Sequence, residues 1–302
     1  MSVTERNKKR LLLGQDNNAL TWLIIINSIV FVVLLFIKLI YQVSSDNGLV
    51  SFQTQIADWF ALPASGSKLL TRPWTVLSYM FSHDNLWYLI SSVLWLWCFG
   101  FILQELAGNN KLVPIYLYGG VVGGIIFILS ANLLPNLRTD IQFLSEAGAA
   151  SAVFAIAVGT TALAPDYRLF QQLNGGIPLW VLTIVYVAID FATIGSENIA
   201  VTISHIAAGA AGFLFIKQLK KGNDLGLWMN NFANWINDLF NPEKKYQTDQ
   251  LYYKPTRKPY QKTLQVTQQR LDEILDKINQ QGYQLLTEDE KEFLKKASNT
   301  DL

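Results

Sequence analysis

Six apolar runs, Ala19–Val43, Val76–Leu103, Leu112–Leu134, Gly148–Ala164, Pro178–Ile194 and Ala200–Leu219, leave this chain few folds to choose from. A helix needs roughly 20 mostly apolar residues to cross the hydrocarbon core of a bilayer. Inside that core every backbone N–H and C=O must be bonded within the protein, so helices are the natural spanning unit. The fourth and fifth runs, at about 17 residues, stand near the lower limit and call for shielding in the middle of a bundle. Charged residues are only 16% of the chain against 51% hydrophobic, and they crowd toward its two ends. The first run is too long for a cleavable signal peptide, and no small-residue cleavage site follows it. The sequence therefore predicts an all-α, polytopic membrane bundle of six transmembrane helices with a small cytoplasmic helical tail.

The densest basic clusters beside the spans are RNKKR (Arg6 to Arg10) and KQLKKG (Lys217 to Gly222). The positive-inside rule puts both in the cytoplasm, which requires an even number of spans. The loops PNLRTDIQFLSE and GSEN carry little positive charge, as outside loops should. In the long first outside loop, Ser44–Thr75, residues Trp59, Phe60 and Trp74 read as interfacial anchors.

The chain divides into a basic cytoplasmic head (1–18), the six-span domain (19–221), an amphipathic helix (222–240), a linker (241–263) and a helical hairpin (264–302). In the amphipathic stretch Leu225, Trp228, Phe232, Trp235 and Leu239 recur at spacings of three or four. Such a stripe fits a helix lying in the membrane interface or one packed on the bundle's inner face. The linker is polar and without period. In the hairpin Val266, Leu271, Ile274, Leu275 and Ile278 keep helical spacing and Gly282 closes the helix. Thr287 with Glu290 forms a capping box for the next helix, through Phe293 and Leu294. So small a hairpin has little core of its own, and it is expected to dock on the membrane domain or on a partner.

A net charge of +1 gives no reason to expect nucleic acid as a partner. The single cysteine, Cys98, excludes disulfides and thiolate clusters, and two histidines with few carboxylates nearby make no metal site. The sequence GGVVGG (Gly119 to Gly124) lacks the spacing and the lysine of a phosphate loop; within a span it means close helix packing. Neither cofactor nor metal is expected. A transporter would show inverted repeats around a midplane site, and no repeat is evident.

Ionisable groups inside spans are costly and are functional candidates by default. Lys38 stands late in its span and can snorkel, His83 stands near the start of span two, and Asp190 suits a structural hydrogen bond near the outer end of span five. His205 is followed by Ala208, Gly209 and Gly212 on its own helix face. That small-residue face can meet the equally small GAASA stretch, bringing Ser151 toward His205. A serine nucleophile needs a base within hydrogen-bond reach and donors aimed at the oxyanion. Without an Asp partner, packing must orient the imidazole. Ser151 is thus either a nucleophile or a small packing residue that carries a hydroxyl.

From Leu69 to Leu219 the chain resembles the rhomboid intramembrane serine proteases of the bacterial six-span type. The resemblance rests on RPWTVLSYMFSH, LWLWCFG, LQELAG, KLVPIYLYGG, GAASAVFAIAVG and SHIAAGAAGF. The tail, with LDEILDKINQQGY and LTEDEKEFL, resembles the helical extension that some rhomboids of Bacteroidetes-like bacteria carry. The resemblance implies an integral protein of the bacterial inner (cytoplasmic) membrane with both termini cytoplasmic. It implies contact with membrane lipid and with single-span membrane proteins as substrates or clients.

By the same resemblance His205 is the base of a serine-type endopeptidase. Three other positions depart from the family. Aligned on Val153 and Phe154, the family's nucleophile position is Ala150, with Ser151 a candidate nucleophile shifted by one residue. The family's oxyanion positions read Tyr88 and Ser92. One residue of displacement turns a helical side chain by about 100°, far beyond what catalytic geometry tolerates, although a first helical turn can adjust its register and Tyr88 could donate its O–H. The resemblance therefore leaves two functions open: cleavage of transmembrane substrates, or a pseudoprotease that binds transmembrane helices without cleaving them.

Overall fold

The first apolar run forms α1 (Ala19–Ser44), started by Asn18, whose side-chain oxygen accepts from the N–H groups of Leu20 and Thr21. The structure, a computed structural model, describes residues 18–138, 140–169, 175–193, 198–240 and 268–298. Residues 1–17 of the basic head, the linker and Val266 lie outside the described residues.

The second run does not form a single helix from Val76 to Leu103. Its start folds as α4 (Thr75–Ser78) and a 3-10 turn at Tyr79–Phe81, and α5 begins only at Leu86 (Leu86–Ala107). The polar triplet His83, Asp84 and Asn85 is the cause. Asn85 caps α5 by accepting from the Trp87 N–H at 3.0 Å, a bond unavailable to it inside a continuous helix. The remaining runs form α6 (Leu112–Leu133), α7 (Ala150–Leu163), α8 (Leu179–Thr193) and α9 (Ile199–Lys220). Among the described residues, four helices are long and apolar enough to cross a membrane, and α7 and α8 are shorter apolar helices. The result is an all-α polytopic bundle.

The 14 residues of α7 extend about 21 Å at 1.5 Å per residue, less than a bilayer core. The expected shielding holds for α7, which is buried along nearly its whole length from Ser151 to Thr160. It does not hold for α8, which buries only Leu179, Thr183, Tyr186 and Asp190. Trp180, Ile184, Val185 and Ile189 are exposed on its other side. An apolar outer face is compatible with lipid, so a short helix need not be central.

The centre of the bundle is α6, α7 and α9, and small residues let them touch. A Cβ on Gly119 would stand 2.2 Å from the Ala155 Cβ, and one on Gly212 would stand 2.0 Å from the Ala155 carbonyl oxygen. Spans four and six thus meet as anticipated, backbone to backbone at Gly212 and Ala155, and through the Ser151 and Ser204 hydroxyls at the GAASA end. Around it Phe99, Ile102, Leu103, Ile115, Tyr116 and Phe127 fill the core with no exposed surface.

The first loop folds as α2 (Gly48–Gln55), a 3-10 turn at Ala57–Trp59, strand β1 (Leu62–Pro63) and α3 (Gly66–Thr71). β1 pairs antiparallel with β2 (Ser145–Glu146), with Leu62 opposite Glu146. The Ala64 N–H extends this pairing to the Leu144 carbonyl at 3.0 Å. Glu146 is thereby fixed just before α7. Trp59 and Trp74 stack with ring centroids 5.7 Å apart and remain partly exposed, and the Arg72 guanidinium sits 4.5 Å over the Trp59 ring.

Beyond α9 the chain forms α10 (Leu227–Phe240), then α11 (Gln268–Gln281) and α12 (Glu288–Ser298). The chain separates into two compact units, Met1–Asn237 and Asp238–Leu302. The second has its own small core of Ile274, Leu286 and Phe293. Its capping box is reciprocal: the Thr287 N–H donates to Glu290 Oε2 at 2.8 Å, and the Glu290 N–H donates to Thr287 Oγ1 at 3.4 Å.

Candidate active site

The backbone turns into α7 at Gly148, whose φ of +118° suits only glycine. The Gly148 N–H donates to the Tyr79 carbonyl at 2.9 Å. The next N–H, of Ala149, donates to His83 Nε2 at 3.4 Å. These two bonds fix the first turn of α7 against the segment that leads into α5.

From that fixed start the rotation of 100° per residue separates Ala150 from Ser151. Ala150 lines a cavity of about 310 Å³, together with Tyr88, Ser92, His83, Glu146 and Asp190. Ser151 has no exposed surface and turns toward α6 and α9. A Cβ on Gly123 of α6 would meet the Ser151 Oγ at 2.9 Å and the Ser204 Oγ at 3.2 Å. The Ser151 hydroxyl donates to Glu146 Oε1 at 2.8 Å and lies 2.9 Å from the Ser204 Oγ. Ser204 in turn donates to both Glu146 oxygens, at 3.0 and 3.2 Å. The first turn has not slid in register: the bonds of Ser151 run to Glu146 and Ser204, not to the imidazole.

His205 is 1% exposed and its two nitrogens face two carboxylates. Nδ1 lies 2.8 Å from Asp190 Oδ2, and Nε2 stands 3.8 Å from Glu146 Oε1. The ring packs beside Phe154, with centroids 5.4 Å apart. The imidazole is therefore oriented by Asp190 as well as by packing, which corrects the expectation of a histidine without an acidic partner. Asp190 is 6% exposed and makes the structural hydrogen bond expected of it, to His205. Both carboxylates border the cavity while the imidazole between them is buried.

The structure thus gathers Tyr88, Ser92 and Ala150 at one cavity and places His205 and Ser151 behind its wall. Sequence reasoning missed Glu146 and Ser204. Glu146 stands two residues before the fourth apolar run, so a search for ionisable groups confined to the runs passes over it. Ser204 is adjacent to His205 in ISHIAAG, and its hydroxyl reads as ordinary helix composition until α7 is packed against it.

Chemically, a hydroxyl attacks a carbonyl when a base removes its proton and donors receive the oxyanion. Here a buried imidazole is held by Asp190, but the cavity-facing position on α7 is a methyl group. The one hydroxyl on that first turn is spent on Glu146.

Comparison with known proteins places this geometry in a family. A model of the Rhomboid domain matches residues 70–221, which are 152 of the 302 residues. A second model, for a family of unknown function (DUF6576), matches residues 259–300, which cover the helical tail. No curated protein matches the chain. With half its length matched, and with apolar helices able to cross a bilayer, the chain is an integral membrane protein of the rhomboid family.

Proposed function

We propose that this rhomboid binds the transmembrane helices of single-span client proteins and does not cut them. Its basic flanks favour both termini in the cytoplasm, and its likeness to the bacterial six-span rhomboids favours a bacterial inner membrane. One observation carries this reading: Ala150, not a serine, stands where α7 opens on the cavity, and the Ser151 hydroxyl is bonded away to Glu146 and Ser204. The substitutions at Tyr88 and Ser92 support it, since both line the same cavity. Such a site keeps a cavity beside α7 and lacks, on that helix, a free hydroxyl that would attack a bound chain.

The test is photocrosslinking from position 92 to a single-span client in the reconstituted full-length protein. The expected result is a crosslinked client of unchanged length. Cleavage of the client that vanishes in Ser151→Ala and in His205→Ala would overturn the reading and establish a serine endopeptidase with a shifted nucleophile. That second reading draws on one observation, the 2.8 Å contact of His205 Nδ1 with Asp190, which holds the imidazole as a base is held.

A further inference from the structure

We infer that α10 is an interfacial membrane helix whose aromatic stripe lies in the boundary between lipid headgroups and acyl chains, held there by apolar burial and not by charge. The stripe is open: the exposure of Leu225, Trp228, Phe232, Trp235 and Leu239 runs from 41% at Leu225 to 61% at Leu239. That removes the option of a stripe packed on the bundle and leaves its occupant to be identified.

The attachment of α10 to α6 identifies it. The Trp228 indole N–H donates to the Tyr118 hydroxyl at 2.8 Å, and that hydroxyl donates to the Leu225 carbonyl at 3.2 Å. Tyr118 stands six residues past Leu112, about 9 Å along α6 at 1.5 Å per residue. The Asn230 side-chain amide donates instead to the carbonyl of Asn110, at 3.1 Å, before α6 begins. Trp228 and Asn230 are two residues apart and so point to nearly opposite sides of α10. The aromatic side of α10 is bonded at a level inside the span, and the asparagine side at the span's polar end. A Lys111–Asp224 ion pair fixes the approach. This is the orientation of a helix lying flat with its apolar face toward the bilayer centre. A soluble partner would meet the stripe only by entering lipid.

The polar side explains the second half of the inference. It carries Asn230, Asn231 and Asn234, and Asp238 is the one charged residue in the sequence of this helix. Lysine-rich interfacial helices add attraction to anionic lipid; α10 has no such contribution of its own. Its seating should therefore be the same in zwitterionic and anionic membranes.

The test uses the full chain with Cys98→Ala and a nitroxide at Trp235→Cys, Ile236→Cys or Asn234→Cys, each in nanodiscs of phosphatidylcholine with or without phosphatidylglycerol. The expected result is an oxygen-to-nickel collision ratio several-fold higher at 235 and 236 than at 234, equal in both lipid mixtures. Position 236 keeps the answer readable should loss of the Trp235 indole loosen the helix. Equal ratios on the two sides would overturn the inference. So would shielding of 235 and 236 from both reagents with spin–spin broadening, the mark of a second copy. Lipid exposure seen only with phosphatidylglycerol would overturn the charge-independent seating.

Discussion

The Ser151 hydroxyl donates to Glu146 at 2.8 Å, and of these residues Glu146 and Ala150 line the cavity while Ser151 does not. Under the proposed function this bond makes Ser151 a structural serine and not a nucleophile. Ser151→Ala removes a bond to a buried carboxylate and leaves that carboxylate with Ser204. The loss should cost roughly 1–3 kcal/mol and lower the melting temperature in detergent. The unaltered protein should not react with a fluorophosphonate. Ala150→Ser puts a hydroxyl at the cavity and should gain slow labelling that a second change, His205→Ala, removes. Labelling of the unaltered protein that disappears in Ser151→Ala would sink this account.

Asp190 is the next point of strain if altered. It orients His205 through Nδ1, and both groups are buried. Asp190→Asn keeps a polar partner for the ring; Asp190→Leu keeps only bulk and leaves the imidazole without its acceptor. Leaving a buried polar group unsatisfied costs roughly 1–3 kcal/mol, so the leucine variant should melt lower than the asparagine variant. Equal melting temperatures would show that packing against Phe154 suffices to hold the ring.

The bundle was legible because lipid imposes one rule on every span, and the small residues around His205 and Ser151 were legible because close approach needs them. What the sequence concealed is direction. Apolar length located the second run but not its break, since His83, Asp84 and Asn85 are decided by a cap whose worth is set locally. Residue type singled out Asp190 and His205, yet their bond joins neighbouring helices α8 and α9, and only their packing makes it visible. Glu146 is set by a two-residue strand pairing with Leu62, a contact between positions more than eighty residues apart that no periodicity announces.

Close packing at α7 gives a steric prediction. Gly212→Ala would drive a methyl to 2.0 Å from the Ala155 carbonyl oxygen, a backbone atom that has nowhere to go. Overpacking of this kind costs about 1–3 kcal/mol or more, and it should push α9 from α7 and shift His205 with it. Gly66→Ala is the control, because a Cβ there meets nothing within 4 Å. A Gly212→Ala protein as heat-stable as the control in detergent would show that α7 and α9 do not meet as described.

The tail unit carries a pH prediction whose sign follows from Glu290. Its carboxylate accepts from Lys277 Nζ at 2.8 and 3.1 Å and from the Thr287 N–H at 2.8 Å. The lysine bond first, then the backbone bond, lowers its pKa to about 2. A carboxylate whose pKa is depressed on folding stabilises the folded state above its unfolded value, roughly 4.3. That contribution is lost as pH falls from there toward 2. Methyl signals of Ile274 and Leu286, which meet in the tail's core, should broaden or shift over this window in the full-length protein. Glu290→Gln should show the loosened signals already at neutral pH and little further change on acidification. A wild-type tail whose core signals hold steady to pH 2 would mean that the capping box and its lysine contribute nothing to its folding.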